Sequence, residues 1–339
     1  MTRAPVDPDV RLRRAVGRWP TPAARALEPY LTPATRDWPR HGSSVERPYW
    51  VRLPHWLHAQ TPARGRPQIA RRALGDILWG QRALFLFVRI HDDLFDGQAS
   101  APGLVYAADL LLLESARAFA GHVDDRFWPV FHGSVSTTLT AILEVDTLQR
   151  RAEGMPSGSA RLYARVSAIF KVGSAAVLQL QGRSRHLAAV SRFADEVAVA
   201  DQIVDDLVDL EEDLRRGRLN YVASRLLRHR TDGQRATGDP RARIAVAIEG
   251  GGLVSAVEDV RRRLARARRA VAPLRLHDAE RYLAALDVHV AALGDHLHRV
   301  RVLDRLRRFV APRQGRRGTV PPAAPTARRP SSAAPAPAR

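Results

Sequence analysis

From about residue 68 onward, leucine, alanine and arginine recur at intervals of three and four, and the apolar–polar alternation of half-buried strands is scarce. This pattern predicts helices over 68–96, 103–121, 126–152, 158–181, 185–216, 219–229, 241–249, 253–270 and 277–308, and so an all-α fold. The breaks fall on residues that interrupt helices: Pro102-Gly103, Pro156-Ser157-Gly158, Gly217 and the triple glycine at 250–252. Residues 229–239 read as an exposed loop. Residues 1–40, rich in proline, arginine and alanine, read as a loosely ordered arm or short helices. Residues 311–339 have almost nothing apolar to bury and read as a disordered tail. The stretch between, 41–310, is long enough for one large helical domain.

Two of the predicted helices carry carboxylates where an apolar stripe is expected to continue. In ALFLFVRIHDDLFDG, residues 83–97, an apolar helix ends on Asp92, Asp93 and Asp96, with Asp92 and Asp96 one turn apart on one face. In residues 200–222, Asp201, Asp205, Asp209 and Asp213 recur at every fourth position, bordered by Asp206 and Glu212. Ile203, Leu207, Leu210 and Leu214 form a separate apolar stripe for the core. Each like-charge i,i+4 pair costs about 0.2–0.5 kcal/mol even on an exposed helix, and burying unpaired carboxylates costs more. A hard divalent cation relieves both, and magnesium prefers one or two carboxylates together with substrate phosphate oxygens. A single such motif also fits a solvated acidic face or a helix end paired with arginines. Two copies of Asp-Asp-x-x-Asp on separate helices favour the cation.

Composition narrows the chemistry. With no cysteine, disulfides, thiolate metal sites and cysteine nucleophiles are excluded. The charged N-terminal stretch has no apolar run behind it, and the longest apolar run near the first motif, 83–88, is too short to span a bilayer. A soluble, cytoplasmic protein is expected. The formal charge of +19 invites a nucleic-acid reading. Six of the arginines responsible lie in 311–339, aromatic residues make up only 6%, and no stacking pattern accompanies the rest. No nucleic-acid partner is expected; a diffusely basic surface also recruits a diphosphate. All but one of the 54 basic residues are arginine, and the exception is Lys171.

These segments resemble the trans-isoprenyl diphosphate synthases of the class I isoprenoid synthase superfamily. IHDDLFD (90–96) is similar to the family's first aspartate motif and DQIVDDLVD (201–209) to its second, with Gln202 matching a family glutamine. Lys171, in FKVGSAAVLQLQG (170–182), falls about where the family places a lysine that binds the allylic diphosphate. DLRRGRLNY (213–221) resembles a further family stretch, with Arg218 in place of its lysine. The resemblance implies a helical bundle around a deep apolar cavity, with the motifs facing each other at its mouth. It implies catalytic roles for Asp92, Asp93, Asp96, Asp205, Asp206, Asp209 and Lys171. Metal ligation would fall to Asp92, Asp96 and Asp205, with three magnesium ions, and diphosphate binding to Lys171, Gln202 and Arg218. The partner implied is a small-molecule prenyl diphosphate, and a homodimer is a possible assembly.

The sequence also departs from the elongating enzymes. Asp96 is followed by GQASAPGL, without the family's arginines, and only Gly65-Arg66-Pro67 is faintly comparable with the stretch that binds isopentenyl diphosphate. Ionisation of a prenyl diphosphate followed by cyclisation or quenching, as in a terpene synthase, is therefore the first expectation. Condensation with isopentenyl diphosphate, or head-to-head condensation, is the alternative. A non-catalytic prenyl diphosphate-binding homologue comes third, because intact carboxylates in both motifs argue against it. A metal phosphohydrolase built on His91-Asp92 leaves 201–213 unexplained.

Overall fold

Helices form where the three-and-four spacing of leucine and alanine predicts them, and every regular element among the described residues is helical. The computed structural model describes residues 8–31, 49–60, 69–95, 97–228 and 239–299. In chain order the helices are α1 (Pro8–Val16), α2 (Thr21–Leu27), α3 (Tyr49–Ala59), α4 (Arg71–Phe95), α5 (Gly103–Ala120), α6 (Trp128–Gln149), α7 (Ala160–Val166), α8 (Val172–Leu180), α9 (Leu187–Val208), α10 (Leu210–Arg215), α11 (Tyr221–Arg228), α12 (Pro240–Glu249), α13 (Gly252–Val271) and α14 (His277–Arg299). The tail 311–339, the Gly65-Arg66-Pro67 segment, the loop over 229–238 and Asp96 lie outside the described residues.

The core is built on α4 and α9. Helix α4 packs along α5, and α9 packs along α13. Val190, Phe193 and Val197 of α9 and Val257, Val260 and Leu264 of α13 are buried. Where α3, α4 and the 3-10 turn Ala168–Lys171 meet, Trp50 stacks on Phe85 at 4.8 Å and on Phe170 at 5.1 Å between ring centroids. These stacked aromatics join the three elements. No helix among them is long and apolar enough to cross a membrane.

Two predicted helices break. The helix expected over 158–181 divides into α7, the 3-10 turn Ala168–Lys171 and α8. Side chains from distant helices take over the backbone bonds lost at the break. Thr138 of α6 donates to the Arg165 carbonyl (3.3 Å) and accepts from the Ile169 amide (3.2 Å). Gln81 of α4, 1% exposed, donates to the Ile169 carbonyl (3.1 Å) and accepts from the Gly173 amide (2.7 Å). The helix expected over 185–216 starts with a 3-10 turn, Ser184–His186, and bends at Asp209 between α9 and α10.

Of the segment expected as an arm or short helices, residues 8–31 form α1, α2 and a 3-10 turn, Glu28–Leu31, with Leu12, Ala15, Leu27 and Tyr30 buried. Helix α1 lies on α4, where Arg11 pairs with Asp76, and His122 bonds the same carboxylate at 2.7 Å. Helix α2 lies on α5. This packing brings Tyr30 to the end of α4.

Candidate active site

The two acidic helices end in the same way. After α4, Gly97 has φ 67°; its amide bonds the Leu94 carbonyl, and the Gln98 amide bonds the Asp93 carbonyl at 2.8 Å. After α10, Gly217 has φ 74°; its amide bonds the Leu214 carbonyl, and the Arg218 amide bonds the Asp213 carbonyl at 2.8 Å. Both are Schellman caps, in which a left-handed residue satisfies the last carbonyls of the helix. Little but glycine adopts that conformation without strain, and no side chain crowds either position. Each run of aspartates is thus stopped at a defined register.

The helix ends meet at one cleft of about 270 Å3. Helix α4 contributes Arg89, Asp92 and Phe95, and Gln98 follows. The other wall holds Gln202, Asp205, Asp206, Asp209, Asp213, Arg216 and Arg218. Ile142, Val145, Asp146 and Gln149 of α6, with Tyr163 and Val166 of α7, complete it. The first and second motifs therefore share one cavity, as the family resemblance implies.

Within each motif the adjacent aspartates differ. Asp92 and Asp205 are partly exposed at the cleft, whereas Asp93 and Asp206 are buried, 8% and 3% exposed. Asp93 is absent from the cleft wall. Its Oδ2 accepts the Tyr30 hydroxyl at 2.7 Å, and its Oδ1 lies 2.8 Å from an Arg89 guanidinium nitrogen. Asp206 accepts the Tyr163 hydroxyl (2.8 Å), the Tyr221 amide (3.0 Å) and the Gln202 side-chain amide (3.3 Å). Asn220 donates to the Asp206 carbonyl (3.0 Å) and to the Asp213 carboxylate (2.8 Å), while its own oxygen accepts from the Ala223 amide at the start of α11.

Electrostatics follow from this burial. Burial pushes the Asp206 carboxyl up to about 7, against the pull of its bonds from Tyr163 and Gln202. Burial, reinforced by Asp205, pushes Asp201 up to about 8. Burial also raises Asp213, with Asn220 opposing. Asp206 and Asp213 line the cleft, and a cation bound there would favour their ionised forms. The donor set is all oxygen from side chains that face one space, the chemistry of a hard divalent ion. Among the described residues no three acidic or histidine side chains converge as a finished metal cage. Magnesium usually takes one or two protein carboxylates and leaves its remaining positions to water and phosphate, so a site without a finished cage still fits it.

The expected site residues are brought together unevenly. Asp92, Gln202, Asp205, Asp206, Asp209 and Arg218 line the cleft. Asp93 turns inward. Lys171, at the end of the turn between α7 and α8, pairs with Asp195 of α9 and is not on the cleft wall. Asp201, first of the acidic stripe, is also off the wall. His91 bonds the carbonyl one turn back, that of Phe87, through Nδ1 at 2.8 Å. The motif reading passed over Arg89, Tyr30, Tyr163 and Asn220. Of these Arg89 carries a local signal in its spacing of three and four from Asp92 and Asp93, and Asn220 carries one as an asparagine placed as N-cap ahead of an apolar run.

The all-helical bundle superposes on solved structures of prenyl diphosphate synthases. Heptaprenyl diphosphate synthase from Staphylococcus aureus superposes with a TM-score of 0.63 at 13% identity, covering 85% of this chain and 96% of that one. Geranylgeranyl pyrophosphate synthase from Corynebacterium glutamicum gives 0.63 at 17% identity, over 84% and 91%. A polyprenyl synthase from Caulobacter crescentus, complexed with calcium and isoprenyl diphosphate, gives 0.55 at 13% identity, over 85% and 99%. The chain has the fold of the trans-isoprenyl diphosphate synthases. No family model matches the sequence, and no curated protein matches it.

Proposed function

We propose that this protein is a magnesium-dependent prenyltransferase that ionises an allylic prenyl diphosphate and joins the prenyl group to isopentenyl diphosphate. The observation that carries the reading is the single cleft on which Asp92 and Asp205, Asp209 and Asp213 face one another, with arginines on both walls. Its structural neighbours are named as prenyl diphosphate synthases, one of them holding a divalent cation and an isoprenyl diphosphate. They support condensation over the terminating, terpene synthase-like reading that the sequence put first.

In this reading Asp92, Asp96 and Asp205 would hold magnesium, three ions in all, and Asp209 faces the same cleft. Magnesium, when bound, supplies Lewis-acid stabilisation of the departing pyrophosphate. Gln202, Arg218 and Lys171 contact the diphosphate; Arg218 is already on the wall, and Lys171 must leave Asp195 to do so. Asp206 holds Gln202 and ties the end of α9 to α11, so that Asp205 keeps its direction. The apolar side chains Ile142, Val145 and Val166 flank the acids and exclude water from the allylic end.

The missing arginines after Asp96 favour the second reading, in which the cation is cyclised or quenched without isopentenyl diphosphate. Incubation with geranyl, farnesyl and geranylgeranyl diphosphates, each with and without isopentenyl diphosphate, separates the two. A longer prenyl diphosphate formed only when isopentenyl diphosphate is present is expected. A terpene hydrocarbon or alcohol, formed equally without it, overturns condensation.

A further inference from the structure

We propose that Arg89 is a diphosphate-binding residue of this cleft, positioned by Asp93 and, through Asp93, by Tyr30. The inference rests on the reading of the cleft as a prenyl diphosphate site.

Positions 89, 92, 93 and 96 follow the i, i+3, i+4, i+7 spacing of one helix face, so Arg89 stands on the same stripe as the first motif. Its guanidinium lies 2.8 Å from Asp93 Oδ1 and 3.6 Å from Asp92 Oδ2. The side chain is 34% exposed and lines the cleft beside Asp92 and Gln98. Arg216 and Arg218 line the opposite wall, so an anion between the helix ends meets cations from both sides. A guanidinium carries five donors in a planar fork, suited to holding a carboxylate and a phosphate oxygen together.

The supporting pair explains why a buried aspartate sits beside a ligand position. Asp93 is off the cleft wall and its second oxygen is taken by Tyr30 at 2.7 Å. Burial and the Asp93 carboxylate raise the Tyr30 hydroxyl far above its ordinary value, so it stays a donor throughout the working pH range. Asp93 thereby keeps its other carboxylate oxygen, Oδ1, within ion-pair distance of Arg89. Asp93 acts as a positioning residue in this arrangement, and the turn Glu28–Leu31 becomes part of the site.

The test is calorimetric binding of inorganic pyrophosphate, in magnesium, to the full chain and to Arg89→Gln, Arg89→Lys and Tyr30→Phe, with thermal midpoints measured alongside. Arg89→Gln still offers Asp93 a hydrogen bond and is expected to weaken binding by roughly ten-fold or more, the worth of one charge-assisted hydrogen bond. Arg89→Lys, which keeps Asp93 neutralised but lacks the fork, is expected to fall between. Tyr30→Phe is expected to weaken pyrophosphate binding in the same direction by a smaller factor. Wild-type affinity in folded Arg89→Gln or Arg89→Lys overturns the proposal: Arg89 then serves only to neutralise Asp93. If the wild-type chain itself binds no pyrophosphate in magnesium, the reading of the cleft falls and takes this inference with it.

Discussion

At the scale of single residues, the two aspartate pairs divide their work. Asp92 and Asp205 are partly exposed at the cleft, whereas Asp93 turns into the protein and accepts a bond from Tyr30, and the buried Asp206, also on the cleft wall, accepts one from Tyr163. Spacing alone identified all four but could not divide them, because the deciding hydroxyls lie 63 and 43 positions away in sequence. The buried acids also predict a pH dependence. Asp206 and Asp201 have folded values of about 7 and about 8, above the unfolded carboxyl. Between the unfolded value and these, the folded chain holds more protons than the unfolded one, so their contribution to stability falls as pH rises through that window. Asp206 lines the cleft, so a cation bound there would favour its ionised form and bind more tightly over the same range. The gain in thermal midpoint on adding magnesium should therefore grow from pH 5 to pH 8, measured by calorimetry. A gain that shrinks with rising pH contradicts a cation bound beside Asp206.

Among the elements, the break between α7 and α8 matters most, since Lys171 stands at its end. The apolar spacing of 158–181 fits one continuous helix, and nothing local marks an interruption. What stabilises it is Gln81, brought in from 88 residues away, with both ends of its amide on backbone groups. Helix boundaries set by glycine or proline, at 102–103, 217 and 250–252, were legible because their cause lies in the residue itself. A break satisfied by tertiary partners has no such mark. Replacing Gln81 by leucine keeps the volume near constant but leaves the Ile169 carbonyl and the Gly173 amide without that partner. Each buried group so stranded costs about 1–3 kcal/mol, so Gln81→Leu should lower unfolding stability by about 2 kcal/mol or more in urea titration. An unchanged midpoint would mean that the turn sustains itself.

For the whole molecule, the all-α class followed from the helical spacing, and the meeting of the two motifs from the family resemblance that their residues carry. The packing of residues 8–31 against α4 and α5 did not, because their composition resembles a loose arm and their anchors, Asp76 and Asp93, belong to other elements. The central claim is that the ends of α4 and α9 act as one site on one diphosphate. A double-mutant cycle on Asp92→Asn and Asp205→Asn measures this directly, through steady-state pyrophosphate release in magnesium from the allylic diphosphate that the incubations identify. Residues acting as a unit are strongly non-additive. Each single variant is expected to lose about two orders of magnitude or more, roughly 3 kcal/mol in the barrier, with its fold intact, and the double variant should be little worse than either. Wild-type release from a folded single variant, or losses that simply multiply in the double, would contradict a site shared between the two helices.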